Sequence, residues 1–257
     1  METLDLNASK ETRETVKEST QQLRETGKIN EALELFLQVM LWDDEQGTIK
    51  GRMDVRGHIR ICYSLLADNG IEPQVNRAKA LQIANEAIEI GEADASINPA
   101  SIAIQKVQLA GALKDMAVNA TAAEQETLLN EALTRVNQAL ENLPGTEAHR
   151  AWPLNTKANI VFQLGNTQEA LAIVEEGIQA LNNGYAAELH NKDGQMKLDV
   201  WESGLLLTKA TILNSLGTQE EALDSVNQAL GISRRSGLEQ RIRQADELIK
   251  IIEAGQE

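Results

Sequence analysis

The sequence is short of several things, and each shortage excludes a class of protein. Its single cysteine, Cys62, can form no internal disulfide and has no neighbouring Cys or clustered His to suggest a metal site, so a reducing compartment fits. Three Trp, two Tyr and two Phe among 257 residues are too few for a sheet, whose faces pack best with aromatic and β-branched side chains. No run approaches the roughly 18 apolar residues that span a bilayer. The opening METLDLNASKETRETVKEST has neither a basic start followed by an apolar stretch nor a small-residue cleavage site. A cytoplasmic, soluble chain is expected. Positive charge is also scarce: 24 Lys and Arg face 39 Asp and Glu, and the net charge of -15 repels phosphate backbones and anionic membranes. Neither nucleic acid nor membrane is an expected partner.

Catalytic motifs are absent too. There is no GxGxxG, phosphate-binding Gly-Lys-Ser/Thr loop, HExxH, CxxC or GxSxG, and His58, His149 and His190 lie far apart. No catalytic residue, metal ligand or cofactor is expected, and the chain does not read as an enzyme. Asp43, Asp44 and Glu45 lack the alternating ligands, central Gly and distal Glu of a calcium loop and read as a solvated acidic turn. Cys62, within IRICYSLL, reads as a buried, inert thiol.

What is present is helix-forming and repetitive. Apolar residues make up 42%, with only four Pro. LGNTQEALAIVEEGIQAL from Leu164 to Leu181 is echoed by LGTQEEALDSVNQALGI from Leu216 to Ile232. Apolar or small residues fall three and four apart at Leu154, Ala158, Val161 and Leu164, then at Ala170, Leu171, Val174, Gly177 and Ile178, which predicts two amphipathic helices. Gly165 and Gly217 stand where a helix ends on a left-handed residue. Asn166 or Thr167 is expected to cap the next helix, and Thr218 with Glu221, like Ser236 with Glu239, has capping-box spacing. Asn98 before Pro99 marks another helix start. The second helix recurs upstream around Ala32, Ala80 and Ala132, the last closed by Pro144, so the alanines at 32, 80, 132, 170 and 222 are 48, 52, 38 and 52 residues apart.

These positions resemble the tetratricopeptide repeat: a small residue within helix A (Ala158, Ala210), Gly in the turn (Gly165, Gly217), and small, bulky and small residues in helix B (Ala170, Val174, Gly177; Ala222, Val226, Ala229). The resemblance implies an all-α, right-handed superhelical α-solenoid of about five helix pairs, approximately 8–42, 53–91, 98–143, 147–183 and 197–233, closed by a capping helix over 236–254 within one domain. The intervals exceed the family's usual ~34 residues. Either the helices are long or loops carry insertions at 43–52, 68–75, 118–127 and 183–197.

The resemblance also assigns a groove lined by helix A. Its positions fall on Trp152, Asn155, Asn159, Phe162 and Gln163, then on Gly204, Leu207, Thr211, Asn214 and Ser215. Asn155 and Asn159, one turn apart, could grip an extended peptide backbone while Trp152 and Phe162 offer apolar pockets or pack on a neighbouring unit. A chaperone-type carboxylate clamp is not expected, since Lys17 is followed by Gln21 where the family has Asn. Arg52, Arg56 and Arg60 form a separate stripe that either pairs with nearby carboxylates or holds an acidic ligand. Arg234, Arg235, Arg241 and Arg243 read as helix-end charge. The expected function is an adaptor binding a peptide or partner protein, as monomer or homodimer; the alternative is a regulator whose long-helix array tightens on a ligand.

Overall fold

The computed structural model describes residues 10–143, 145–191 and 193–255, all of them helix or connecting turn with no strand among them. The N-terminal stretch before residue 10, the start of the first expected unit at 8, and the closing Pro144 lie outside the described residues. Eleven α-helices follow one another among these residues, and the chain divides into two compact units, 1–142 and 143–257. In the first, α1 (Lys10–Glu25) pairs with α2 (Ile29–Gln46), α3 (Ile49–Asp68) with α4 (Pro73–Glu92), and α5 (Pro99–Ala117) with α6 (Ala122–Asn142). In the second, a 3-10 turn at Glu147–Arg150 leads into α7 (Ala151–Gln163), paired with α8 (Thr167–Leu189), then α9 (Gly194–Ser215) with α10 (Gln219–Ser236), and α11 (Glu239–Ala254) against α9 and α10. No described helix is long and apolar enough to cross a membrane.

One turn geometry recurs. Gly27, Gly165, Gly217 and Gly237 have φ of 83, 86, 79 and 64°, the left-handed region. The residue after each Gly returns its N–H to the carbonyl five residues back: Lys28 to Leu23 at 2.9 Å, Asn166 to Val161 at 3.1 Å, Thr218 to Leu213 at 3.0 Å and Leu238 to Ser233 at 2.9 Å. That bond closes the old helix as a Schellman motif. The same residue's carbonyl accepts the first bond of the next helix, from Ala32, Ala170, Ala222 and Ile242 at 2.9–3.0 Å. One residue therefore ends one helix and begins the next.

This double duty overturns two expected caps. Asn166 and Thr218 sit at φ near -90° and ψ near 65°, away from the extended conformation that aims a side chain at the following amides, and neither makes a side-chain cap bond. The Thr218 hydroxyl instead donates to the Leu213 carbonyl at 3.0 Å. The box expected at Ser236 is also absent, because α10 runs through it and its hydroxyl donates to Asp199 at 2.5 Å. Asn98 does cap α5, accepting from the Ala100 N–H at 2.9 Å. A box not foreseen joins Thr121 and Glu124, whose carboxylate accepts from the Thr121 N–H and hydroxyl at 3.1 and 2.7 Å.

The long intervals are absorbed mainly by helix. α2 reaches Gln46 and α3 begins at Ile49, while α8 continues to Leu189, two turns past its last repeat position. Short turns bring paired helices close, and Ala32, Ala80, Ala132, Ala170 and Ala222 are all fully buried. The extension of α8 is packed as tightly: a Cβ at Gly184 would stand 2.1 Å from the Ala148 amide nitrogen of the 3-10 turn. Ala favours helix over Gly by about 1 kcal/mol, yet Gly184→Ala is expected to lower unfolding stability by about 1–3 kcal/mol through overpacking. Urea unfolding distinguishes the two, since a gain would mean that the turn is not docked on α8.

Candidate binding face

In the second unit, α7 and α9 are the first helices of their pairs and lie against each other. Asn159 joins them: its Nδ2 donates to Thr208 Oγ1 and to the Asn155 carbonyl, both at 2.9 Å. Asn155, one turn earlier, is half-buried, and its Oδ1 is buried without a hydrogen-bond partner. Across from it stands Gly204, where a Cβ would lie 3.3 Å from Asn155 Nδ2 and 3.2 Å from an Arg241 guanidinium nitrogen of α11. The missing side chain lets an amide and a cation approach the α9 backbone together. Gln163, at the end of α7, likewise keeps its Oε1 buried and unpartnered.

Not every residue expected on this face is there. Trp152, Phe162 and Asn214 are half-buried, and Thr211 and Ser215 are exposed with their hydroxyls turned to the backbone at Leu207 and Ile212. Leu207 is only 8% exposed and packs in the core with Leu206, Ala210, Val226 and Ala245. Its position one turn before Ala210 carries it inward with that alanine. Thr208 and Arg241 complete the face, and neither was assigned to it from the sequence.

The arginine stripe of the first unit is internally paired. Arg56 forks onto Asp44 with two bonds of 2.8 Å and approaches Glu86 at 3.4 Å, while Arg52 reaches Asp44 at 3.2 Å. The Arg56 hydrogen bond holds the Asp44 carboxyl below its usual range, aided by Arg52. Arg60 donates to Gln108 at 3.2 Å and reaches Asp115 at 3.4 Å, the carboxylate that also accepts from Ser64 at 2.9 Å. Asp43, expected in a solvated turn, instead lies within α2, where it is buried and pairs with Lys17 at 3.0 Å. No group of His, Cys, Asp and Glu among the described residues is arranged to hold a metal ion. His58 stacks on Phe36 at 4.9 Å, and its Nδ1 accepts from Arg24 at 3.0 Å; burial and that charge push its pKa down to about 3. Burial pushes the Cys62 thiol up to about 12.

A polar centre in the second unit escaped the sequence reading. The fully buried Glu188 carboxylate accepts from Thr146 at 2.8 Å and Asn191 at 2.9 Å, lies 3.0 Å from His149 Nε2, and has Lys197 at 3.8 Å. His149 meets Trp201 edge-on with ring centroids 5.1 Å apart. Burial alone would raise the Glu188 pKa, but the Thr146 and Asn191 hydrogen bonds and the His149 interaction outweigh it and hold it lowered. A carboxyl depressed on folding stabilises above its unfolded pKa and loses that contribution as pH falls through the folded value. Stability measured by urea unfolding should therefore drop as pH falls below about 4.5, the ordinary glutamate value, and Glu188→Gln should be weaker at pH 7 with a shallower acid dependence. Parallel pH profiles for the two proteins would contradict this role.

Comparison with known proteins supports the fold. A thermophilic TPR protein of Thermus thermophilus superposes with a TM-score of 0.62 at 16% identity, covering 92% of this chain and 99% of that one. Nearly identical TPR-like repeats from Podosopora anserina give 0.48 at 16% identity over 87% and 95% of the two chains. The TPR2AB domain of yeast Sti1, in a complex with pHSP90, gives 0.36 at 13% identity over 95% and 100%, too low to compare sites. No protein-family model and no curated protein matches the sequence. The chain has the tetratricopeptide-repeat fold.

Proposed function

We propose that this chain is a non-enzymatic interaction module, cytoplasmic in location, whose α7–α9 face binds an extended segment of a partner protein. The observation that carries the reading is the pair of buried, unpartnered amide oxygens at Asn155 and Gln163. A buried acceptor without a donor is unfavourable by about 1–3 kcal/mol, and backbone N–H groups of an extended peptide would relieve it once these half-buried amides turn outward. Eight residues of helix separate the two amides by about 12 Å, the span of roughly four extended residues at about 3.3 Å each. Half-buried Trp152 and Phe162 on the same helix offer apolar contact beside them.

Asn159 has a different part in this proposal. One of its amide protons already ties α7 to α9 at Thr208 while the other bonds within α7, so it sets the spacing of the face. The alternative of a ligand-tightened regulator keeps its long helices but finds Arg52, Arg56 and Arg60 occupied by carboxylates and a glutamine.

Asn155→Ala combined with Gln163→Ala is expected to reduce capture of the principal co-purifying partner by about tenfold, the equivalent of about 1.4 kcal/mol, with circular dichroism unchanged. Affinity purification from the native cell with quantitative mass spectrometry reads this directly. Undiminished capture by the folded double variant would remove the face from the proposal.

A further inference from the structure

Within the first unit, α4 begins beside the turn that joins α5 to α6, and a hollow of about 700 Å³ opens between them. Met116, Ala120, Ala123 and Leu128 give it an apolar wall, and Arg77 of α4 also lines it. Arg77 makes no hydrogen bond or ion pair among the described residues, although its Nε is buried. Its charge acts on Asp68 without forming an ion pair, and Lys114 and Arg60 share that carboxylate. Glu124, on the opposite wall, is turned to Thr121 by two hydrogen bonds. An unpaired guanidinium beside an apolar wall is out of keeping with a chain carrying 15 excess negative charges. It calls for a carboxylate from outside.

The surroundings say what kind of molecule brings that carboxylate. Ile71, Val75 and Val118 are 44, 48 and 53% exposed, three of only six large apolar side chains so exposed among the described residues. Val75 and Val118 adjoin lining residues Gln74 and Asn119, and Ile71 lies in the turn just before α4. Exposed aliphatic side chains thus flank the lining residues along the chain, which a segment with aliphatic neighbours matches better than a lone carboxylate. We propose that this hollow is a second docking site, in which Arg77 receives an acidic side chain of a partner segment whose neighbouring aliphatic residues cover Met116, Leu128 and Val118.

The test uses the full chain, labelled with nitrogen-15, and two capped peptides, acetyl-Leu-Glu-Leu-Leu-amide and its Gln counterpart. The Glu peptide is expected to shift the amide signals of Asn119, Ala120 and Thr127 and to bind at least about tenfold tighter than the Gln peptide, as a charge-assisted pair requires. Arg77→Gln removes no hydrogen bond or ion pair among the described residues, so it is expected to fold as the parent does and to bind both peptides alike, while Val118→Ser weakens both. Equal binding of the two peptides to the parent chain, or shifts confined to other residues, overturns the proposal. Octanoate binding as tightly as the Glu peptide overturns it in favour of a free aliphatic acid. Because these signals lie in the α5–α6 turn and on α6, the outcome is read apart from that of the α7–α9 face.

Discussion

The structure depends on a two-residue turn in which one peptide unit serves two helices. At Gly165–Asn166 the Asn166 N–H closes α7 on Val161, and the Asn166 carbonyl opens α8 by accepting from Ala170. Only a left-handed residue at position 165 leaves both groups correctly aimed, and a side chain there is strained by about 1–2 kcal/mol. With no spare residues, the second helix must fold straight back along the first. Its opening turn then meets the first helix at a distance that Ala fits, which is why Ala32, Ala170 and Ala222 are fully buried four residues after Lys28, Asn166 and Thr218.

Much of this is legible in the sequence because it is local. Leu-Gly followed by Ala five residues after the Gly states the turn and the contact together, and two copies give the period. Side-chain caps are less legible for the same physical reason that makes the turn compact: the backbone at Asn166 and Thr218 is committed to Schellman closure, so spacing alone overstates the capping box. Where no such closure exists, at Thr121 and Glu124, the box forms. The uneven intervals left two choices open, and the packing of Gly184 against Ala148 shows how the last turns of α8 are accommodated as helix.

The candidate face was legible only in part. Asn155, Asn159 and Gln163 lie on α7 as their helical spacing indicates, but Asn159 is occupied by Thr208, a residue 49 positions away that no local pattern can announce. Leu207 went inward because α9 is buried on more than one side, against α8, α10 and α11, which blurs the stripe that separates core from surface. Glu188 illustrates the same limit. Its partners Thr146, His149, Asn191 and Lys197 come from three segments, and only the fold assembles them.

Whether the shared turn is the constraint on which the pairs depend is tested most directly by two substitutions, one in the turn before α10 and one inside that helix. Gly217 has φ of 79° with open space around it, whereas Gly231 is helical with only Arg235 within 4 Å of an added Cβ. Urea unfolding of Gly217→Ala should show a loss of about 1–2 kcal/mol from left-handed strain, and Gly231→Ala a gain of up to about 1 kcal/mol from helix propensity. Changes of the same sign at both positions would contradict the account.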